Sequence, residues 1–131
     1  MEQSTSHFFI ATGETFPIKS RITCTTENLI YDLWCNKCKT SPILADGKYQ
    51  YTGKTSNTAS IRFSSHKSDV NTGKISKTIA EHFNLPGHKA SDMRFLPFEK
   101  VFSDDPFVLS SREEYWILKK KTLEFGLNRQ K

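Results

Sequence analysis

The chain has 131 residues, with 19 Lys and Arg against 14 Asp and Glu, a formal charge of +5 and three cysteines. That length suits one domain with a modest core, and the basic balance favours an acidic partner, nucleic acid first among them. No apolar run approaches the ~18 residues of a membrane span, residues 1–10 lack the basic start and long apolar segment of a secretory signal, and three cysteines argue against a disulfide framework.

The expectation is therefore a soluble, intracellular protein of a single domain over residues 1–131, with 1–15 a partly ordered extension. Taken in order, His7 to Ile10 and Phe16 to Ile22 carry enough apolar residues for short strands around the turn at Gly13. Asn28 to Cys35 (NLIYDLWC) is rich in β-formers and reads as a central strand, with Leu29, Tyr31 and Leu33 on one side and Ile30, Asp32 and Trp34 on the other. Lys39 to Lys48, with Pro42, Asp46 and Gly47, reads as a loop turning back into an antiparallel strand, Tyr49 to Lys54. Tyr31 and Tyr51 thus become neighbours.

Asn57 or Thr58 caps a helix to about Val70, in which Ala59, Phe63 and Val70 share a core-facing side while Arg62 and His66, four apart, share another. Ser76 to Phe83 reads as a shorter helix stopped before Pro86-Gly87. Met93 to Phe102 is expected as a third strand, at an edge or bulged because of Pro97. Ser110 or Ser111, each followed three residues later by a glutamate, is expected to cap a last helix through Thr122, and Lys119-Lys120-Lys121 reads as a solvated face able to meet phosphates. Phe8, Phe9, Phe95, Phe98, Phe102, Trp116, Ile117 and Leu118 are expected in the core or at a partner contact.

Two constellations carry chemistry. The first is ordered along the chain: Tyr31, then Tyr51-Thr52-Gly53-Lys54, then Arg62 and His66, then Glu113 ahead of Tyr115-Trp116-Ile117, and Asn128 near the end. The second is Cys35-x2-Cys38 with His82-x5-His88, four ligands of the types that close a tetrahedral structural Zn²⁺ site. Such a metal would staple the end of the first strand to the short helix. Unliganded thiols and surface histidines are the alternative there, as cross-strand packing, surface charge and helix capping are for the first set.

The first constellation resembles the GIY-YIG endonucleases. Together with the CxxC, the His-Phe-Asn-x-Pro-Gly-His segment and the Tyr-Trp-Ile helix with its Gly-Leu-Asn finish, it is similar to the endonuclease domain of Penelope-like retroelements over Phe16 to Asn128. The resemblance implies a small α/β fold with a three-stranded antiparallel sheet between helices, and metal-dependent hydrolysis of a DNA phosphodiester. It implies further that Tyr31 acts as, or positions, the base for the attacking water, with Tyr51 beside it. Arg62 would contact the scissile phosphate, His66 would hydrogen-bond or move a proton, Glu113 would hold Mg²⁺ or Mn²⁺, and Asn128 would support the site.

A phenol of pKa ~10 needs nearby cations to serve as a base at neutral pH, and Lys54 and Arg62 are the candidates. Leu29 and Thr52 stand where the family pattern has glycine and isoleucine, and the interval between the tyrosines is longer than usual. The partners this resemblance implies are DNA and a reverse transcriptase domain of a retroelement, with a nuclear location for a eukaryotic retroelement. Two other classes remain open from the residues alone: a zinc-stabilised nucleic-acid-binding module without catalysis, and a CxxC redox protein.

Overall fold

The computed structural model describes residues 6–8, 15–18, 22–23, 25–40, 49–73 and 78–128. Strands β1 (Ser6–Phe8) and β2 (Thr15–Pro17) pair antiparallel as a separate two-stranded sheet. The main sheet has β3 (Leu29–Cys35) at its centre; the short helix α1 (Asn36–Thr40) follows it directly. The expected loop therefore begins no earlier than 41, and residues 41–48, like Phe9, Cys24, Lys74 and Ser76, lie outside the described residues.

β4 (Gln50–Thr55) pairs antiparallel with β3, setting Tyr31 opposite Gly53 and Leu33 opposite Tyr51. Helix α2 (Ala59–Asn71) starts at Thr58, whose side chain accepts from the Ile61 amide, so Thr58 and not Asn57 is the cap. Helix α3 (Thr78–Phe83) is tied back to α2 through Asn84, whose Nδ2 donates to the Val70 carbonyl at 3.1 Å and to that of Ala80 at 2.7 Å.

β5 (Met93–Lys100) completes the order β4-β3-β5, antiparallel to β3. Pro97 can sit in it because the strand is an edge, and the register slips between Ile30 and Tyr31, which face Glu99 and Pro97. Phe98 is the extra residue of that bulge. The chain continues through α4 (Pro106–Lys120) and α5 (Thr122–Phe125). Gly126 and Leu127 then run beside β4, where the Leu127 amide donates to the Gln50 carbonyl at 2.7 Å.

β3 is covered on both sides, which is why a strand with almost no polar alternation folds here. Leu29, Tyr31, Leu33 and Cys35 pack with Ala59, Val70, Ile79, Phe83 and Phe95, while Ile30 packs with Phe98, Val101 and Leu109. Three expectations need correcting. Helix α4 begins at Asp105, whose Oδ1 accepts from the Phe107 amide at 2.9 Å, with Pro106 pre-set for the first turn, so Ser110 and Ser111 are interior and their capping of Glu113 or Glu114 falls away. Lys120 is not on a solvated face; its side chain is fully buried against Asp32. Phe102 and Leu118, expected in the core or at a partner contact, are exposed and so not in the core: Phe102 lies past the end of β5, and Leu118 lies on the side of α4 opposite Leu109 and Lys120. Among the described residues, no helix is long and apolar enough to cross a membrane.

Candidate active site and cysteine–histidine cluster

β3 and α2 together build a hydrogen-bonded centre around one phenol. The Tyr31 hydroxyl takes a hydrogen bond from Arg62 Nε at 3.1 Å and lies 2.7 Å from His66 Nε2. Because the guanidinium can only donate, the hydroxyl's own proton is free to point at His66, provided the imidazole carries its proton on Nδ1. Arg62 and His66 sit one turn apart on α2, which aims both at the same oxygen. The Tyr31 ring stacks on Phe95 at 4.5 Å, and Phe95 stacks on Phe63 at 5.1 Å, fixing the phenol's plane.

Tyr51 reaches the same place diagonally across the ladder, its ring centroid 6.3 Å from that of Tyr31 and 6.1 Å from that of His66. Gly53 makes room for them. A β-carbon there would come 2.5 Å from Tyr31 Cζ and Oη and 2.7 Å from Tyr51 Cε2. Gly53→Ala is therefore expected to push both phenols aside and cut DNA cleavage by ~100-fold, the order seen when reacting groups move by an ångström. Steady-state cleavage rates beside a circular dichroism spectrum would check this, and wild-type rates would refute it.

Burial, the Tyr51 charge and the Glu113 carboxylate push the Tyr31 pKa up, and the Arg62 cation and its hydrogen bond pull only partly against them. Tyr51 is likewise raised, by burial first and Glu113 next, again opposed by Arg62. Glu113, half-buried on α4, thus lies within electrostatic reach of both phenols. The cation field expected of Arg62 is present but outweighed, so neither phenol is an ionised base at neutral pH.

Lys54 is not beside the phenols. It extends from the other face of β4, where Nζ donates to Ser110 Oγ on α4. It meets Arg62 instead in the wall of a cleft of about 420 Å³, also lined by Asn57, Ser65 and Pro106. Asn128 lies at the β4 edge: its Oδ1 accepts from the Thr52 amide at 2.9 Å and its Nδ2 donates to the Thr52 carbonyl at 2.8 Å. It continues the ladder by one side chain and holds the strand between Tyr51 and Gly53. So the structure gathers Tyr31, Tyr51, Arg62 and His66, sets Glu113 within their field, and places Lys54 and Asn128 on the cleft wall and the strand edge.

Cys38 on α1 and His82 on α3, forty-four residues apart in sequence, meet at a second cluster with Cys35 at the end of β3. One ligand atom each from Cys35, Cys38, His82 and His88 lie within 4.8 Å of one another. Cys38 Sγ is 3.5 Å from His82 Nε2 and 3.2 Å from His88 Nε2. A tetrahedral ion with bonds of ~2.0–2.3 Å spaces its ligands ~3.3–3.8 Å apart, so the donor set fits one. Burial and the neighbouring Cys35 push the Cys38 thiol up to about 12, while burial and His88 push His82 down to about 4. The histidine is held neutral, as a ligand must be, and a metal would have to displace the thiol proton.

Sequence reasoning missed the polar ties of α4. Asp32 and Lys120 form a buried pair, and Glu99 takes Arg112 Nε at 2.7 Å, Arg112 Nη2 at 2.6 Å and Trp116 Nε1 at 3.2 Å. A carboxylate in the midst of NLIYDLWC was the available signal, since a charge buried in a central strand needs a partner.

A central strand presenting a phenol to a guanidinium and an imidazole, with a carboxylate and a basic cleft nearby, defines a small phosphodiester-cleaving α/β domain. A model of the GIY-YIG catalytic domain matches residues 21–128, most of the chain, and the chain belongs to the GIY-YIG family. It is a GIY-YIG-type endonuclease, and its substrate is DNA. No curated protein and no solved structure gives a significant match.

Proposed function

We propose that this domain nicks DNA in a reaction dependent on Mg²⁺ or Mn²⁺. The observation that carries the reading is the Tyr31 hydroxyl held between Arg62 Nε and His66 Nε2, with Glu113 in electrostatic reach. Tyr31 works as a relay: its raised pKa forbids a standing phenolate, so it takes a proton from the attacking water as its own passes to His66. Arg62, which lines the cleft, binds the scissile phosphate and stabilises charge growing on its oxygens. Lys54, in the same cleft, holds the neighbouring backbone, and Tyr51 orients the water. Asn128 keeps β4 in register under them.

Glu113 would hold the divalent ion. When bound, such an ion supplies a Lewis acid for the phosphoryl oxygen and for the leaving oxygen. A single carboxylate suits Mg²⁺, which keeps most of its waters. One such centre hydrolyses one strand at a time, hence nicking. We further propose that Cys35, Cys38, His82 and His88 hold a structural Zn²⁺ that pins β3 and α1 to α3 and the segment after it and takes no part in cleavage. The likeness to Penelope-like retroelement domains supports a role in retroelement integration, in the nucleus, with a reverse transcriptase domain as partner.

The test is a supercoiled plasmid incubated with purified protein. Conversion to open circles with Mg²⁺ or Mn²⁺ and none with EDTA is expected. DNA binding without cleavage under either ion would instead leave an inactive binding module.

A further inference from the structure

Helix α4 carries Glu113 but packs with Leu109 and Trp116 on the Ile30 side of the sheet, away from the side that buries Tyr31. Its carboxylate meets the phenols' field only if the helix is held at one rotation and one height. Each strand of the main sheet grips it through a polar pair. β5 does so by Glu99 on Arg112 and Trp116, β4 by Lys54 on Ser110, and β3 by Asp32 on Lys120.

The last pair differs from the others in being entirely closed to solvent, at 0% exposure for both side chains. Thr52 Oγ1 donates to Asp32 Oδ1 at 3.4 Å, and the Lys120 ammonium lies 4.0 Å from the centroid of Phe98. On a helix, residues seven apart fall within ~20° of the same side and ~10.5 Å along the axis, so Lys120 and Glu113 share one face of α4. Asp32 in turn directly follows Tyr31 in β3.

We propose that Asp32 and Lys120 are a positioning pair that sets the rotation and height of α4, and through it the place of Glu113 relative to Tyr31. Apolar side chains of similar volume would fill the same space with equal or greater stability, so packing does not account for two buried charges. Position does: an ion pair in a closed site accepts one geometry, whereas apolar neighbours let a helix slide and turn. The inference rests on the reading of Glu113 as the ligand of the catalytic ion.

The experiment compares wild type, the double variant Asp32→Leu/Lys120→Met, and Glu113→Ala. Each is measured for thermal midpoint, for nicking across a Mg²⁺ titration, and for Mn²⁺-induced broadening of the α4 amide signals. The double variant removes both charges together because removing one would strand the other. It is expected to melt no lower than wild type, to need at least fivefold more Mg²⁺ for half-maximal nicking, and to show weaker broadening at a given Mn²⁺ concentration.

A double variant that melts like wild type, nicks with unchanged Mg²⁺ dependence and broadens alike overturns the proposal while leaving Glu113 in its role. If Glu113→Ala nicks as wild type does, the assignment of Glu113 falls and the inference with it. Should the double variant not fold, Lys120→Arg keeps the charge but changes its reach; a raised Mg²⁺ requirement there supports the proposal, and an unchanged one overturns it.

Discussion

Glu113→Ala and Arg62→Ala are each expected to lower plasmid nicking by ~10³-fold, the order lost when a group that stabilises transition-state charge is removed. Both side chains are only part-buried and neither lies in the two apolar clusters, so the variants should melt close to wild type. The two losses differ in kind. Excess Mg²⁺ should recover part of the Glu113→Ala activity, because waters can replace one ligand, but none of the Arg62→Ala activity, because a guanidinium that contacts the phosphate has no substitute in solution. Single-turnover rates over a Mg²⁺ titration check this. Wild-type rates in both variants would remove the assigned chemistry.

The pH behaviour follows from the same centre. Tyr31 and Tyr51 both have folded-state pKa values above the ordinary 10.0. Above pH 10 the unfolded chain loses those protons while the folded one keeps them, so stability falls as pH rises there. For catalysis, the relay requires His66 unprotonated to receive the Tyr31 proton. Because both phenols are raised, no rise in rate from phenolate formation is expected through neutral pH. Tyr31→Phe should abolish the reaction, and His66→Gln, which cannot accept the Tyr31 proton, should slow it by ~10²–10⁴-fold.

Stripping the metal from the Cys35, Cys38, His82 and His88 cluster is expected to be the largest single loss of stability. Zinc-finger peptides gain ~10–16 kcal/mol from such a site. Here the three-stranded sheet has its own core, so the loss is smaller; a few kcal/mol lowers the melting midpoint by ~10 °C in a domain of this size. Without metal, burial keeps Cys38 and His82 neutral, which is why the apo protein should survive at low temperature. Cys38→Ser and His82→Ala should melt as the chelated wild type does and should not respond further to chelator. Elemental analysis should find one zinc per folded, reduced chain; none would remove the site.

Much of this was legible in the residues because it depends on neighbours in sequence or on ligand type. The two main strands, a helix cap at Asn57 or Thr58, which the structure gives to Thr58, and the pairing that brings Tyr31 near Tyr51 follow from β-formers, turn residues and strand alternation. The four side chains that could hold a metal announce themselves because Cys and His in paired spacing have few other uses. The start of α4 was misjudged because Ser110 and Ser111 imitate a capping box, while Asp105-Pro106, one turn earlier, holds the actual cap.

What the sequence alone determined is the kind of chemistry: a phenol, a guanidinium, an imidazole and a carboxylate in the order of the GIY-YIG family, and a separate Cys and His set able to hold a metal. Only the tertiary structure decided which of these touch. It put Arg62 and His66 on the Tyr31 hydroxyl, moved Lys54 to the cleft wall, and set Asn128 on the backbone of Thr52. It also buried Lys120 within a run of three lysines. The reason is physical: burial and pairing depend on which faces of β3, α2 and α4 meet, and those contacts span 31 to 88 residues of chain.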